Sequence, residues 1–315
     1  MSASVSLPAA PICFVPHYHT RVWGGRRLET ALGRVLPDDE PYGEAWELSD
    51  RPDCQSLVAS GPLAGRSLHE LWNRHRAEVF GQALVGHPAE RFPLLIKVLD
   101  CADDLSIQVH PPASIAGELK GEPKSEMWHF VATAPGAKLY AGLRRGVSRE
   151  QFEQGLPDGT VADCVHALEP QAGDSLMVPS GRLHALGAGL LVFEIQQNSD
   201  TTYRVFDWNR LGLDGRPRQL HVEESMRCID FADAEPGLHP AAAGNPLAAC
   251  EHFRVDRCGE SAASLAGFRL VMAINRLEWA GTVLAPGSVA IWPAAAGLAP
   301  PIEGGAWLEI TLPAA

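Results

Sequence analysis

Apolar residues along this chain come mostly in short runs broken by glycine, proline and small polar residues, the texture of a protein built from many short strands. Runs at 92–99, 105–109, 127–132, 138–142, 175–178, 190–196 and 202–208 predict strands. Helical spacing is rarer. Over 67–80, Leu68, Leu71, Trp72 and Val79 recur at helical intervals, and Ser148-Arg-Glu-Gln151 has the form of a capping box opening a short helix through Leu156. A third helix is predicted over 221–229. The pattern as a whole is mainly β, of the sandwich or barrel kind, with a few short helices.

The stretch 230–249 is rich in Ala, Pro and Gly, and a final segment follows it with strand-like runs at 268–274, around Val283, at 289–292 and at 307–312. The expected organisation is therefore a large domain over 1–229, a linker over 230–249 and a small β domain over 250–315. No internal repeat of fixed short period and no low-complexity tract is present. The tail lacks a metal-binding cluster of Asp, Glu and His, so packing or lid duty is assigned to it.

Charge narrows the partners. Lys plus Arg minus Asp plus Glu is 26 − 38 = −12 over 315 residues, with no basic cluster, which argues against a nucleic-acid or anionic-membrane surface as partner. A small anion would bind only where a few cations are gathered locally. Residues Met1 to Ala10 lack a charged leader followed by an apolar core, and no stretch approaches the ~20 apolar residues of a membrane span, so a soluble, cytoplasmic protein is expected. Seven cysteines form no CxxC pair and leave one over in any pairing, which fits reduced thiols. Cys250 and Cys258 are the one pair that could meet across a hairpin.

Chemistry concentrates in three places. Gln108 and His110 are two apart and share a face of a strand, Val109 faces the other way, and Pro111 ends the strand. Glu126, two after Lys124, opens the next strand after a Pro-rich, partly helical excursion. Gly173-(x)5-Pro179-(x)4-His184 has the spacing of the second cupin motif, in which the glycine permits a turn, the proline stiffens a strand end and the histidine faces a barrel interior. His110, Glu126 and His184 are two imidazoles and a carboxylate, a set that binds a divalent transition metal and leaves coordination positions open for chemistry; Gln108 is a fourth candidate ligand. His17 and His19 form an HxH pair with nothing nearby to complete a site, and His129, three after Glu126, faces away from it. His166, His221 and His252 carry no readable signal. HExxH, Walker A, GxGxxG and GxSxG patterns are absent, which removes zincin, P-loop, Rossmann and α/β-hydrolase readings.

A further run, from Glu194 to Arg204, places acids, amides, hydroxyls and an arginine just after a very apolar strand. Arg204 beside a metal is a like-charge arrangement unless an anion shares the space; the bland alternative is a surface ion pair with Asp200 or Asp207. Lys124 has the same ambiguity, since its ammonium suits a phosphate or an enediolate oxygen.

With these residues in view, the chain resembles the short bacterial form of the type I phosphomannose isomerases, or mannose-6-phosphate isomerases, nearly end to end. The strongest pieces are Val22-Trp-Gly-Gly25, Gly43-Glu-Ala-Trp-Glu-Leu-Ser-Asp50, Leu94-Leu-Ile-Lys97, Asp104-Leu-Ser-Ile-Gln-Val-His-Pro111, Lys124-Ser-Glu126, Val178-Pro-Ser-Gly-Arg-Leu-His-Ala-Leu186 and the run from Gln196 to Trp208. The resemblance implies a cupin (jelly-roll β-barrel) with a degenerate second cupin at the C terminus, and one zinc ion held by Gln108, His110, Glu126 and His184. It implies a metal-dependent aldose–ketose isomerase that interconverts mannose 6-phosphate and fructose 6-phosphate through a cis-enediolate. On this reading Arg204 neutralises the enediolate charge, Lys124 assists there or holds the phosphate, and Ser106 is a neighbouring substrate contact. Glu194 and Asp200 are the candidate bases; His110 is a poor one if metal-bound. The implied partner is a small sugar phosphate and the implied state a monomer, although an exposed strand edge would also admit a dimer. Met127, His129 and Ala188 depart from the family pattern and bear on fine specificity. Two rivals stay open: a facial-triad metal oxygenase, and a non-catalytic sugar-phosphate-binding cupin.

Overall fold

The computed structural model describes residue 7 and residues 9–157, 159–260 and 266–314; of the segment read for a leader, only 7, 9 and 10 are among them. Through residue 206 the strands are β1 (Ile12–Cys13), β2 (His17–Gly25), β3 (Tyr42–Leu48), β4 (Leu94–Cys101), β5 (Ile107–Val109), β6 (Glu126–Thr133), β7 (Leu139–Leu143), β8 (Val165–Leu168), β9 (Ser175–Val178), β10 (His184–Leu186), β11 (Leu190–Gln197) and β12 (Tyr203–Phe206). The chain divides into two compact units, each discontinuous in sequence, and the division falls within β2, β3 and β4.

The unit made of Tyr18–Ala45 and Val98–Ala243 holds every candidate site residue. One sheet runs β2-β3-β4-β11-β6-β9, the other β12-β5-β10-β7-β8. Alternation decides which side chains meet. In the first sheet Trp128 pairs with Glu194 and Leu176, and Phe130 with Val192, so these residues share a face. Trp128, Phe130, Leu176, Val178 and Val192 pack with Leu139, Ala141 and Leu186 of the second sheet in one buried core. On that shared face the residues turn from apolar to polar toward Glu126, which stands opposite Gln196 and Val178. The reverse face of the second sheet carries Ile107, Val109, Leu183, Ala185, Tyr203 and Val205, buried against Phe152 of helix Arg149–Gly155 and Met226 and Cys228 of helix Val222–Cys228. The first of these helices begins with a capping box, as its sequence predicts: Ser148 Oγ accepts from Gln151 N–H at 3.3 Å, and Gln151 Oε1 accepts from Ser148 N–H at 2.9 Å.

Residues 230–243 are tied to this unit by backbone bonds, with Leu143 N–H donating to Asp233 O (2.9 Å) and His239 and Ser175 exchanging both of theirs (2.8 and 2.9 Å). Part of the stretch expected to be a linker therefore edges the sheets.

In the other unit, made of Met1–His17, Trp46–Lys97 and Gly244–Ala315, tail strands form a six-stranded sheet to which β1 adds an edge beside Val289–Trp292, while Leu277–Trp279, Thr282–Leu284 and Ile302–Glu303 form a separate three-stranded sheet. The single helix expected over 67–80 is two, Leu68–Arg74 and Arg76–Phe80. The cause is Arg76, whose side-chain Nε donates to the Trp72 carbonyl at 2.8 Å, the acceptor its own backbone N–H would use in a continuous helix, while its guanidinium lies 4.1 Å from the Trp72 ring centroid.

Candidate metal centre

Strand register brings the site together. His184 stands opposite Gln108, and Gln108 opposite Arg204, so one residue from each of three adjacent strands forms a lateral row. His110 follows the end of β5, and Glu126 opens β6 in the other sheet. The ligand atoms of His110, Glu126 and His184 lie within 4.8 Å of one another, all three residues buried. His110 Nε2 is 3.4 Å from Glu126 Oε2, and His184 Nε2 is 3.5 Å from Glu126 Oε1.

Hydrogen bonds on the far side of each ring fix what those nitrogens present. His110 Nδ1–H donates to Thr201 O and His184 Nδ1–H to Arg182 O, both at 2.8 Å. Each Nε2 is then an unprotonated lone pair aimed at a carboxylate, an arrangement that repels unless a cation lies among them. Burial, followed for His110 by the Lys124 charge, pushes His110 down to about 3 and also lowers His184, so both rings are neutral. Although burial opposes it, Lys124 holds Glu126 ionised, well below the carboxylate range. His110 Nε2 and both Glu126 oxygens are buried without a hydrogen-bond partner among the described residues. Neutral imidazoles, an ionised carboxylate and orphaned inward-facing donor atoms fit a divalent metal ion.

Gln108 is adjacent. Its Nε2 lies 3.4 Å from His184 Nε2 and its Oε1 3.5 Å from Ser106 Oγ; turning the amide by half a rotation directs Oε1 into the cluster. Lys124 is buried and forms an ion pair with Glu126, its Nζ 3.0 Å from Oε2. Burial disfavours its ammonium, but Glu126 and then Glu194 outweigh burial and raise its pKa. The backbone here is pinned to the segment before β10: Lys124 N–H donates to Ser180 Oγ at 3.0 Å and Ser180 N–H to Ser125 Oγ at 3.2 Å.

The remaining candidates scatter. Glu194 lies one pair beyond Gln196 on the inner face and accepts from Trp128 Nε1–H at 3.0 Å. Trp128 in turn stands edge-on to His184 at 5.4 Å, a neighbour the motif reading missed because nothing in the spacing separates it from core. Asp200 is exposed in the loop between β11 and β12. Arg204 belongs to the row through its backbone, but its Nη1 donates to Gln219 O at 2.9 Å. It makes no ion pair with Asp200 or Asp207 among the described residues; Asp207 is taken by Arg210 and Arg218. His129 is buried on the opposite face of β6 from Trp128, 3.0 Å from Ser175 Oγ, and His17 Nε2–H donates to Gln55 O at 2.9 Å.

Two sheets sharing one core, with a buried imidazole–carboxylate cluster at its polar end, define a cupin-type protein with a candidate metal site. Residues 13–129 match the family described as phosphomannose isomerase type I, catalytic domain. The mannose-6-phosphate isomerase of Streptococcus mutans is 39% identical over 232 residues, 72% of this chain and 71% of that protein. Mannose-6-phosphate isomerase ManA of Bacillus subtilis is 36% identical over 225 residues, 70% of this chain and 68% of that protein. The crystal structure of the mannose 6-phosphate isomerase from Bacillus subtilis superimposes with a TM-score of 0.83 at 31% identity, covering 96% of this chain and 100% of that one. The chain belongs to the type I phosphomannose isomerase family, and its fold is that family's cupin.

Proposed function

We propose that this protein interconverts mannose 6-phosphate and fructose 6-phosphate, using a single zinc ion held by Gln108, His110, Glu126 and His184. The observation that carries the reading is the convergence of the two Nε2 lone pairs on both oxygens of Glu126 in a member of this family. When bound, the ion would polarise the sugar oxygens at the reacting carbons. The chain's own residues do the rest. Aldose–ketose isomerisation moves a proton between adjacent carbons through a cis-enediolate, and Lys124 and Arg204 supply the positive charge that steadies that anion or the phosphate. Ser106, buried beside Gln108, offers a hydroxyl to the sugar. Glu194 and Asp200 are the candidate proton carriers, the first inside the core face and the second at its rim.

The relatives' names and the two cations weigh against the oxygenase reading, because oxygen activation needs neither cation. No helix among the described residues is long and apolar enough to cross a membrane. On the proposed reading the protein is a cytoplasmic monomer acting on a small sugar phosphate. The test is whether purified protein forms fructose 6-phosphate from mannose 6-phosphate. Binding of fructose 6-phosphate without conversion would instead establish a sensor.

A further inference from the structure

A second concentration of charge lies where β12 ends. Asp207 is buried, and its carboxylate accepts from Arg218 Nε (2.7 Å) and Nη2 (2.5 Å) and from Arg210 Nε (3.2 Å) and Nη2 (3.0 Å). Burial works against its ionisation, but Arg218 and then Arg210 keep its pKa below the ordinary aspartate value. Between Asp207 and Arg218 the chain makes a loop with an antiparallel bridge from Leu211 to Pro217 and a bond from Gly212 N–H to Arg216 O at 2.7 Å. The carboxylate–guanidinium pair closes the neck of that loop.

The residue after Arg218 is Gln219, whose carbonyl accepts from Arg204 Nη1, and two residues further His221 exchanges bonds with the Arg204 backbone: His221 N–H donates to Arg204 O at 2.8 Å and Arg204 N–H to His221 Nδ1 at 3.3 Å. The returning segment therefore runs along β12, the edge strand of its sheet. Arg204 Nε is buried and has no hydrogen-bond partner among the described residues, so that carbonyl is what directs the guanidinium. Strain marks the same neck. Trp208 and Asn209 have φ of 56° and 54°, consecutive non-glycine residues in the left-handed region, a conformation that persists only where its surroundings over-determine it.

We infer that Asp207 is a positioning residue: by holding Arg218 it fixes the carbonyl of Gln219, and through that carbonyl it sets where the Arg204 guanidinium points. The inference rests on the role proposed above for Arg204. Two guanidinium groups, those of Arg210 and Arg218, share this one buried carboxylate, and the charge of Arg204 is felt nearby, so a neutral residue at 207 leaves like charges facing one another.

The test is a double-mutant cycle on the full-length, metal-loaded protein, read in kcat and KM for mannose 6-phosphate, with amide hydrogen exchange as a readout independent of activity. Asp207→Asn should lower kcat at least ~10-fold with little change in KM or metal content, and should cost less than ~2-fold when added to Arg204→Ala, because coupled residues are not additive. Exchange at the Gly212 and His221 amides should rise at least ~10-fold. Arg218→Lys, which keeps the charge but not the two-pronged contact, should show a partial loss in the same assays and serves if Asp207→Asn fails to fold. Full additivity with Arg204→Ala, or faster exchange with unchanged kcat, overturns the inference. If the wild-type protein does not turn over mannose 6-phosphate, the isomerase reading fails, and the exchange arm alone decides the latch: unchanged exchange in both variants refutes it.

Discussion

His110 and His184 address opposite oxygens of one carboxylate, 3.4 Å from Glu126 Oε2 and 3.5 Å from Glu126 Oε1, and each is turned to do so by an Nδ1–H bond to a backbone carbonyl. The two carbonyls belong to Thr201 and Arg182, in different loops. The ring orientations are thus set before any ion arrives, which lowers the ordering cost of binding one.

Removing the carboxylate should therefore dismantle the centre more than removing the amide. Glu126→Gln should lose metal and turnover together, because it deletes the anion and leaves Lys124 facing the site without its partner. Gln108→Ala should keep part of its metal, since three ligands stay. Metal content by plasma emission spectrometry distinguishes them, and complete loss in Gln108→Ala would show that the amide is a principal ligand.

Arg204→Ala should lower kcat by about 10²–10³-fold, the usual cost of a lost oxyanion donor, with metal content intact. Wild-type turnover in that variant would remove Arg204 from the chemistry.

The proton carrier can be separated from its rival by isotope exchange. If Glu194 carries the proton, Glu194→Gln should abolish deuterium incorporation from solvent at the reacting carbon while Asp200→Asn leaves it in place, and the reverse holds if Asp200 is the base. Mass spectrometry of recovered sugar phosphate reads the result.

Stability of the metal-free protein should fall with acid. His110, pushed down to about 3 when folded, ionises near ~6.5 when unfolded. Between those values the unfolded chain binds more protons, so stability is full above ~6.5 and is lost as pH drops toward about 3. The lowered pKa of Glu126 adds to the fall below the ordinary carboxylate range. Thermal melts across that window in the presence of chelator should show Tm decreasing steadily; a flat profile would contradict the buried neutral imidazoles.

Away from the site, Arg269 and Glu309 form a two-pronged buried pair at 2.9 and 2.6 Å, with Trp307 Nε1–H donating to the same carboxylate at 2.9 Å. Arg269→Ala should destabilise by about 3–5 kcal/mol by stranding Glu309, whereas replacing both by apolar residues of similar size should cost far less. Denaturant titration measures both.

The residues of the candidate metal centre were legible because they obey local rules. Gln108 and His110 are two apart on a strand, Glu126 opens the next, and His184 ends a spaced Gly–Pro–His block. What was not legible depends on groups without a sequence signature. The Thr201 and Arg182 carbonyls orient the rings, yet every residue has a carbonyl. Strands β2 and β3 were missed: in β2 polar, arginine and glycine residues interrupt the apolar pattern and most positions are half-buried, while β3 is buried along its whole length and so shows no alternation. The break at His75 depends on where the Arg76 side chain goes, and Asp207 was weighed only as a partner for Arg204, whereas its partners arrive from beyond a loop.

The most direct test of the central claim is a coupled assay of fructose 6-phosphate formation from mannose 6-phosphate before chelation, after chelation and after zinc return, with metal content measured at each stage. The account expects turnover that disappears with the metal and returns with one zinc per chain. Unchanged turnover in protein shown to be metal-free, or a zinc-loaded protein that forms no fructose 6-phosphate, would contradict it.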